Sequence, residues 1–529
     1  MKFHVYAINW NEERLLPSFL EYYKDADKIY ILDNESTDSS HEIIKAAGRD
    51  IITFKTGGKL DDFSNSKIKN TSWQQSKGQA DYIIIQDLDE FIHFPKFPNN
   101  LLAGLKDLKA RGITAAKAHG IQMFCTDEYF DQVRATKQSI VSQIWTGSAK
   151  FMEGYYNKYM IFDPNAIESI IFSPGAHDVQ LKGKFVPDTT TVAMLHFKYI
   201  GENYVIQRWL NIRARISGLN RSNNFGSQYW RHTEEKTVAQ IRDWFKLYGE
   251  SSVFRLMYPD PTVCPYTFKG RRCVLHTFGA SDAISGMILK GGIWEPRVAE
   301  LVFTLCSKPN TVYVDAGCNI GTHLAIAKLA GAAHIHAFEC NPVTIQKLEA
   351  TIQVNGWSDI TLWKTALSDA SGTLPFTMVT DNLGASYIPT THKGWGGPRR
   401  VHEPGVPIAP YDSLGVDLSG AEHIVLKMDV EGHELQALQG MRSLLSDARL
   451  GHCILELNHA CVDEARVEEI ISLLESHGFT TAKLVFSVPS DTWCGGQLGS
   501  LPNFPAISKE AMLKAVRQKV IMEVLFSRQ

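Results

Sequence analysis

Hydrophobic and polar positions alternate along the first 100 residues in short blocks that predict a strand–helix series. Apolar runs rich in β-branched residues predict four strands, at residues 2–9, 27–34, 51–54 and 80–91. Between the first and second strands, Leu16, Leu20 and Tyr23 fall on one helical face. Between the second and third strands, residues 39–47 predict a helix that ends at Gly48. Buried strands joined by helices are typical of a parallel sheet with helices on both faces.

The alternation restarts at Thr311. Five further strands are predicted in the segments TVYVDAG, HIHAFE, ITLWKTALSD, HIVLKMD and HCILELN. The Gly/Pro-rich residues 391–410 predict a loop or lid, and residues 509–526 predict an amphipathic helix. Two separate series indicate two α/β domains. We predict a first domain at residues 1–235, a helical connector at 236–275 and a second domain at 276–529.

Composition agrees with this organisation and narrows the function. A chain of 529 residues exceeds the size of one ordinary core, and 44% hydrophobic residues exclude disorder as the main state. The net charge of -3 provides no general basic field, so no nucleic-acid partner is expected. The nine cysteines form no CxxC pair, and the N-terminal residues carry carboxylates where a signal peptide needs apolar ones. We expect a cytoplasmic protein without a transmembrane segment.

Polar side chains follow the predicted strands of the first series. Asn9 and Glu12 come after the first strand, Asp33 ends the second, and Asp87 and Asp89 follow the fourth. Ligands bind at the carboxyl ends of parallel strands, and two carboxylates two positions apart can hold one divalent cation that neutralises a diphosphate. The alternative for an isolated DxD is a solvated acidic turn.

Three segments in this order, AINWNEERLLPSFLEYY, YILDNESTDSS and ADYIIIQDLDEF, resemble the family-2-like glycosyltransferases of GT-A fold. The resemblance implies a nucleotide-sugar donor, Mn²⁺ or Mg²⁺, and sugar transfer to a glycan or glycolipid acceptor. It implies that Asp33 contacts the nucleotide base, that Asn9 and Glu12 lie in the nucleotide-binding loop, and that Asp87 and Asp89 bind the metal.

Other residues of this half have two interpretations each. Lys69, with Lys67, either reaches the base or diphosphate or lies on a surface helix. His196 either completes the metal site, as in related enzymes, or packs in the core, and His177 is a weaker candidate for the same role.

Inverting sugar transfer also needs a carboxylate base, for which Asp127 or Glu128 is placed suitably. The QxxRW motif of polysaccharide synthases is incomplete, because Val205 stands at the Gln position. We therefore expect transfer of a single sugar.

The second half contains a strand, a glycine turn and a helix in VYVDAGCNIGTH. Gly317 and Gly321 permit close approach to a ligand, Asp315 opens the turn, and Glu339 ends the next strand, where it can bind two ribose hydroxyls. The GxGxxG spacing of nicotinamide enzymes is missing. The pattern therefore favours another nucleoside-containing cofactor.

A longer set of motifs, GGIWEP, VDAGCNIGTH, AFECNP, ALSDASG, DNLGAS, LKMDVEGHE and ILELNH, resembles the FkbM-type methyltransferases over about residues 280–485. The resemblance implies a Rossmann-like class I fold, S-adenosylmethionine, and O-methylation. It assigns the cofactor's methionine end to Asp315, Gly317, Asn319 and Gly321. It assigns the ribose to Glu339, the adenine edge to Ser368 and Asp369, and the pocket entry to Glu295.

A base that removes the acceptor proton is expected at the same sheet edge. Asp429 and Glu431 follow one strand and His459 follows the next, and we assign these three to the chemistry. We predict a bifunctional enzyme that transfers a sugar from a nucleotide-sugar and O-methylates a sugar hydroxyl. The alternative is a glycan methyltransferase whose first domain only binds the sugar. Peripheral contact with a membrane through a lipid-linked acceptor is left open.

Overall fold

The computed structural model describes residues 1–135, 138–151, 156–389, 400–458, 460–489 and 504–528. The chain divides into two compact units. The first comprises Met1–Asp260 and Val354–Gly356, and the second comprises Pro261–Gln353 and Trp357–Gln529. Residues 236–260 of the predicted connector thus belong to the first unit and residues 261–275 to the second, so the connector is not a separate segment.

The first unit contains eleven strands and ten α-helices among its described residues. The strands are β1 Phe3–Asn9, β2 Lys28–Asp33, β3 Asp50–Thr53, β4 Tyr82–Asp87, β5 Glu90–His93, β6 Ala115–Cys125, β7 Gly147–Ser148, β8 Lys158–Phe162, β9 Ile167–Phe172, β10 Val179–Gly183 and β11 Pro187–Ile200. The helices are α1 Leu16–Tyr22, α2 Ser40–Ala46, α3 Asp62–Ser72, α4 Leu101–Ala110, α5 Asp127–Ala135, α6 Ile140–Gln143, α7 Glu202–Arg215, α8 Gly218–Ser222, α9 Glu234–Tyr248 and α10 Phe254–Met257.

These strands form one large mixed sheet and a small hairpin. The sheet order is β3-β2-β1-β4-β8-β6-β11-β5, with β7 paired to β6, and β9 pairs with β10. Strands β1 to β4 are mutually parallel, whereas β8 runs antiparallel to β4 and β5 antiparallel to β11. In the register, Asn9 lies beside Asp33 and Ile8 beside Asp87. The parallel part therefore brings the polar strand ends to one edge.

The second unit contains twelve strands and eight α-helices in the part of the chain that is described. The strands are β12 Val263–Phe268, β13 Arg271–His276, β14 Thr311–Ala316, β15 His334–Phe338, β16 Ile360–Trp363, β17 Ala366–Leu367, β18 Gly372–Val379, β19 Arg400–Ala409, β20 His423–Met428, β21 Leu450–Asn458, β22 Thr481–Pro489 and β23 Val520–Ser527. The helices are α11 Ala283–Leu289, α12 Pro296–Cys306, α13 Thr322–Ala330, α14 Pro342–Asn355, α15 Glu434–Gln439, α16 Arg442–Ser446, α17 Glu464–Ser476 and α18 Lys509–Arg517.

The main sheet of this unit has the order β16-β15-β14-β20-β21-β23-β22. The first five strands are parallel, and β23 lies antiparallel between β21 and β22. After β14 the chain adds β15 and β16 on one side of it and then β20 and β21 on the other side. A crevice therefore opens at the carboxyl ends of β14 and its neighbours. The predicted α/β class is confirmed in both units.

Two local predictions are wrong. Residues 509–526 do not form one helix, because α18 ends, Lys519 adopts a left-handed φ of 58°, and the apolar residues that follow form β23. Residues 400–409 of the predicted loop form β19, which pairs antiparallel with β18. The other part of that loop, residues 391–399, lies outside the described residues.

A search of the described residues finds no helix with the length and apolar content needed to span a membrane.

Candidate functional site

Each unit carries a cavity at the carboxyl edge of its parallel strands. In the first unit the cavity has a volume of about 280 Å³, and both Asp87 and Asp89 line it together with Glu12 and His196. Its walls also hold four cationic side chains, Lys158, Lys198, Arg208 and Arg215. Such a mixture of carboxylates and cations is suited to a ligand that combines a metal ion with phosphate groups.

Asp89 is the buried centre of one group in this cavity. His196 Nε2 lies 3.5 Å from one of its oxygens, and Arg208 donates to the other at 3.0 Å. Arg208 also forms an ion pair with Glu12. The Nδ1 of His196 is 2.7 Å from Gln122 Oε1, which fixes the ring so that Nε2 faces Asp89.

Asp87 belongs to a second group. Lys69 donates to it at 2.7 Å, and Lys158 lies 3.8 Å from its other oxygen while donating to Glu90 at 2.5 Å. The predicted metal ligands Asp87, Asp89 and His196 thus line one cavity. Among the described residues, however, they do not bring their ligand atoms within the distance expected of one cation.

The charges around the two aspartates control their ionisation. Burial raises the pKa of Asp87, but the charges of Lys69 and Lys158 outweigh it and lower the pKa below its usual value. For Asp89, burial is opposed by His196 and Arg208, which hold the pKa well below the usual range. Both carboxylates are therefore ionised near neutral pH and able to bind a cation.

The predicted nucleotide-binding residues Asn9 and Asp33 contact each other at the end of β1 and β2. Asn9 Nδ2 donates to Asp33 at 2.9 Å, Ser36 N donates to it at 3.1 Å, and His41 Nε2 lies 2.8 Å from it. These contacts lower the pKa of Asp33 despite its burial. Sequence analysis missed Trp10, a flat aromatic side chain that lines the cavity.

Asp127 does not line this cavity. It accepts hydrogen bonds from the backbone N–H groups of Asn203 and Tyr204 at the start of α7, and it forms an ion pair with Arg14 at 3.3 Å. The structure therefore gives this carboxylate a helix-capping position, away from the residues that converge on the cavity.

The cavity of the second unit has a volume of about 210 Å³ at the carboxyl ends of β14, β15, β20 and β21. Most of the predicted residues line it, namely Glu295, Asp315, Gly317, Asn319, Glu339, Asp429 and Glu431. Gly321, Ser368 and Asp369 do not. The hydroxyl of Ser368 bonds instead to His433 Nε2 at 3.0 Å, and Thr365 and Leu367 take its place on the wall.

Gly317 holds the turn after β14 against the neighbouring strand. Its φ is +82°, and a Cβ atom there would lie 1.8 Å from the backbone oxygen of Asp429. Glu339 ties the same turn to β15, because its carboxylate accepts from the N–H groups of Asn319, Cys340 and Asn341 at 2.7–2.9 Å. Only glycine meets both the backbone conformation and the close approach.

Asp315 has no hydrogen-bond partner for either carboxylate oxygen in the described part of the chain, although it is only 1% exposed. Burial raises its pKa to about 7, although the charge of Lys427 opposes the shift. A buried carboxylate without partners is costly, and a cationic group in the cavity would satisfy it. This is the position at which an amino-acid ammonium is expected.

A cluster of three acidic residues also lines the same cavity. Asp429, Glu431 and Glu456 each present an oxygen within 4.8 Å of the others. Burial and the charge of Asp429 raise the pKa values of Glu431 and Glu456 well above the usual range. His459 lies outside the described residues, so its role as a base stays a prediction.

Sequence analysis missed Lys427 and Glu523. Lys427 precedes Asp429 by two positions and donates to it at 3.1 Å, a signal that the motif LKMDVEGHE contained. Glu523 had no such signal, because its segment was predicted as helix and only the pairing of β21 with β23 places it opposite Glu456.

The strand order, the glycine turn and the buried acidic residues define the second unit as a methyltransferase domain. Comparison with known proteins agrees, because residues 315–481 match the family description "Methyltransferase FkbM domain". A curated relative, the hexuronic acid methyltransferase AglP of Haloferax volcanii, is 31% identical over 243 residues, which cover 45% of this chain and 88% of the relative. The chain belongs to the FkbM methyltransferase family through its second unit, and the resemblance noted from the sequence is confirmed there.

Solved structures with similar parts match less closely. A precorrin-6y C5,15-methyltransferase from Geobacter metallireducens has 12% identity and a TM-score of 0.24, with 44% of this chain and 88% of that chain covered. Glucosyl-3-phosphoglycerate synthase from Mycobacterium tuberculosis has 12% identity and a TM-score of 0.21, with 33% and 62% covered. TM-scores this low carry no argument about function.

Proposed function

We propose that the chain is a bifunctional enzyme. Its second unit O-methylates a sugar hydroxyl with S-adenosylmethionine, and its first unit transfers a sugar from a nucleotide-sugar donor to a glycan acceptor with the help of Mn²⁺ or Mg²⁺. The methyltransferase family of the second unit supports the first part. The cavity that Asp89 and His196 line together with Lys158 and Lys198 supports the second.

The observation that carries the methyltransferase proposal is the unpartnered, buried Asp315. Its carboxylate would bind the cofactor's ammonium group, and Glu339, which retains lone pairs beyond its three backbone hydrogen bonds, would bind the ribose hydroxyls. When bound, S-adenosylmethionine supplies a methyl group on a positively charged sulfur. Asp429 and Glu431 would face the acceptor hydroxyl, and Asp429 would take its proton.

Calorimetric titration of S-adenosylmethionine tests this proposal. We expect binding by the unmodified chain and binding weakened about 10- to 100-fold in Asp315→Asn, which loses the charged hydrogen bond. Asp417→Asn, at an exposed position of the same unit, is the matched control and should bind normally. Failure of the unmodified chain to bind the cofactor would contradict the proposal.

The relative's name indicates the acceptor class to test. It describes a methyltransferase for hexuronic acid, so we include hexuronic-acid-containing glycans among the proposed acceptors of this chain. Methyl transfer to a hexuronic-acid glycan and to a neutral glycan of equal length is compared with radiolabelled cofactor. Labelling of neither glycan would contradict a sugar acceptor.

For the first unit, Asp89 and His196 would hold the metal ion. When bound, this ion neutralises the charge that develops on the departing nucleoside diphosphate. Lys158, Lys198 and Arg208 would contact the phosphate oxygens, since all three line the cavity. Asp33 and Asn9 would lie near the base end of the donor, consistent with the resemblance of this half to GT-A enzymes.

A specific observation favours the alternative function for this unit. Arg208 already bonds to Asp89, and Lys69 to Asp87, so the two aspartates are partly neutralised without a metal. Under this alternative the first unit binds the sugar substrate and performs no transfer. Release of nucleoside diphosphate from a panel of nucleotide-sugars, with and without Mn²⁺, discriminates the two functions.

The variant pair for that experiment is Asp89→Asn and Asp25→Asn. Glycosyl transfer predicts Mn²⁺-dependent release that Asp89→Asn reduces by at least about 10- to 100-fold, since loss of a direct metal ligand costs no less than loss of a residue that only orients one. Asp25 is exposed and remote from the cavity lining, so its variant should behave as the unmodified chain. Absence of release with every donor would favour the sugar-binding alternative.

A further inference from the structure

Three carboxylates of the methyltransferase unit are arranged as a ligand set. Asp429 and Glu431 follow β20, Glu456 lies near the end of β21, and one oxygen of each falls within 4.8 Å of the others. Lys427 donates to Oδ2 of Asp429 at 3.1 Å, and the thiol of Cys461 donates to Oε2 of Glu431 at 3.3 Å. Each contact orients one carboxylate, and each involves only one of that carboxylate's two oxygens.

Glu523 provides an independent observation. It is 2% exposed, and neither of its oxygens has a hydrogen-bond partner among the described residues. It lies directly opposite Glu456 in the pairing of β21 with β23, so both side chains project from the same face of the sheet. An unpartnered carboxyl group buried beside three others is unfavourable, and a cation bound among them would reduce that cost.

Acidic side chains crowd this end of the cavity. Among the described residues, the buried or half-buried carboxyl groups that interact there include those of Glu295, Asp315, Asp429, Glu431, Glu456 and Glu523. Within the described ranges, Lys427 is the cationic side chain that interacts with this set. Bound S-adenosylmethionine would add one net positive charge at Asp315, so Lys427 would remain the cationic group beside Asp429 and Glu523.

We propose that Asp429, Glu431 and Glu456 bind a divalent cation, with Glu523 adding negative charge behind Glu456. An all-oxygen ligand set is preferred by Mg²⁺ and Mn²⁺ over softer metals. Three protein ligands leave the remaining coordination positions of an octahedral ion open toward the cavity that these residues line.

The open positions determine what the cation does. They would accept two oxygens of the sugar acceptor and hold its hydroxyl beside the cofactor, an inference that rests on the proposed function. The cation would also allow a carboxylate-bearing sugar to enter a cavity whose wall is otherwise acidic. The expected acceptor is therefore a sugar with neighbouring oxygen donors, one of which belongs to a carboxylate.

The test measures Mn²⁺ binding by electron paramagnetic resonance on the full-length chain. All samples carry Asp89→Asn, which removes the metal ligand proposed for the first unit. We expect one bound Mn²⁺ in this background and binding weakened about 10- to 100-fold when Glu431→Gln or Glu456→Gln is added. Glu475→Gln, at an exposed position of α17, is the control and should retain Mn²⁺.

Two results would overturn the inference. One is the lack of Mn²⁺ binding in the Asp89→Asn background, and the other is unchanged binding in both Glu→Gln variants. Using both variants, whose amides match the carboxylates in shape, guards against loss of folding in one of them. S-adenosylmethionine labelled with ¹³C in its methyl group adds a positional readout, because Mn²⁺ in the same cavity should broaden that resonance.

Failure of the inference is distinguishable from failure of the proposed function. Cofactor binding is measured by calorimetry in the presence of a chelator. If S-adenosylmethionine binds and Mn²⁺ does not, the cation site is wrong while the methyltransferase proposal stands. If the cofactor itself does not bind, the proposed function is wrong.

Discussion

Three aspartates of the two cavities differ in how their surroundings shift their pKa values. In the first unit, Lys69, Lys158 and Arg208 lie close enough to lower the pKa values of Asp87 and Asp89 in spite of burial. In the second unit, burial dominates and raises the pKa of Asp315 to about 7. Asp87 and Asp89 are therefore anions already paired with cations, whereas the charge of Asp315 needs a positive ligand.

A buried histidine of the first unit provides a prediction on stability. His93 is completely buried and its Nε2 lies 2.8 Å from the backbone oxygen of Met257. Burial lowers its pKa to about 4, so the native state stays neutral where the unfolded state binds a proton. Stability is therefore lost as the pH falls from about 6.5 to 4, by up to about 3 kcal/mol.

Urea unfolding at pH 7.5 and pH 4.5 measures this contribution. His93→Gln removes the titrating ring, so the difference in unfolding free energy between the two pH values should shrink by about 2–3 kcal/mol relative to the unmodified chain. His119→Gln, at an exposed position, is the control and should leave the difference unchanged. An equal pH dependence in His93→Gln and the unmodified chain would contradict the assignment.

At the level of elements, β14, its glycine turn and α13 form the part of the second unit on which the cavity depends. Gly317 begins the turn and Gly331 follows α13, and both have left-handed φ angles, +82° and +107°. Their surroundings differ, because a Cβ atom at Gly331 would meet nothing within 4 Å, whereas at Gly317 it would lie 1.8 Å from a backbone oxygen.

The pair of alanine variants separates backbone strain from steric overlap. Gly331→Ala should cost about 1 kcal/mol through its φ angle alone. Gly317→Ala should cost about 1–3 kcal/mol more, because the backbone of Asp429 cannot rotate away, and it should abolish cofactor binding. Calorimetric unfolding and cofactor titration measure the two effects. Equal destabilisation by both substitutions would show that the close approach at Gly317 is unimportant.

Elements also show where pattern-based prediction succeeds and where it ends. The strands of the parallel sheets were predictable, because each is a short apolar run bounded by polar or glycine residues. The segment of β23 was not, because Ile521, Val524 and Leu525 suit a helical face and a strand equally well. This segment forms a strand because it lies between β21 and β22, where both of its edges form backbone hydrogen bonds.

On the scale of the whole molecule, each cavity is lined by residues of a single unit. The two proposed activities should therefore be separable by mutation. Asp89→Asn should lower nucleoside diphosphate release and leave methylation of a preformed glycan within about 2-fold, and Asp315→Asn should have the reverse effect. The two rates are measured on the same preparations, with Asp25→Asn and Asp417→Asn as controls.

A loss of methylation in Asp89→Asn would have a specific meaning. It would indicate that the first unit binds the acceptor for the methyltransferase, as in the sugar-binding alternative. A loss of both activities in either variant, with the controls intact, would contradict the assignment of separate sites.

The sequence by itself determined the two α/β series, the family of the second unit and the strand ends that carry its polar residues. These features depend on local periodicity and on short motifs, which act over a few residues. Only the tertiary structure decided that Arg208 contacts Asp89, that Asp127 caps a helix, and that Glu523 lies opposite Glu456. The physical reason is that these contacts join residues distant along the chain, and sheet pairing and burial, which set their distances and charges, have no local signal.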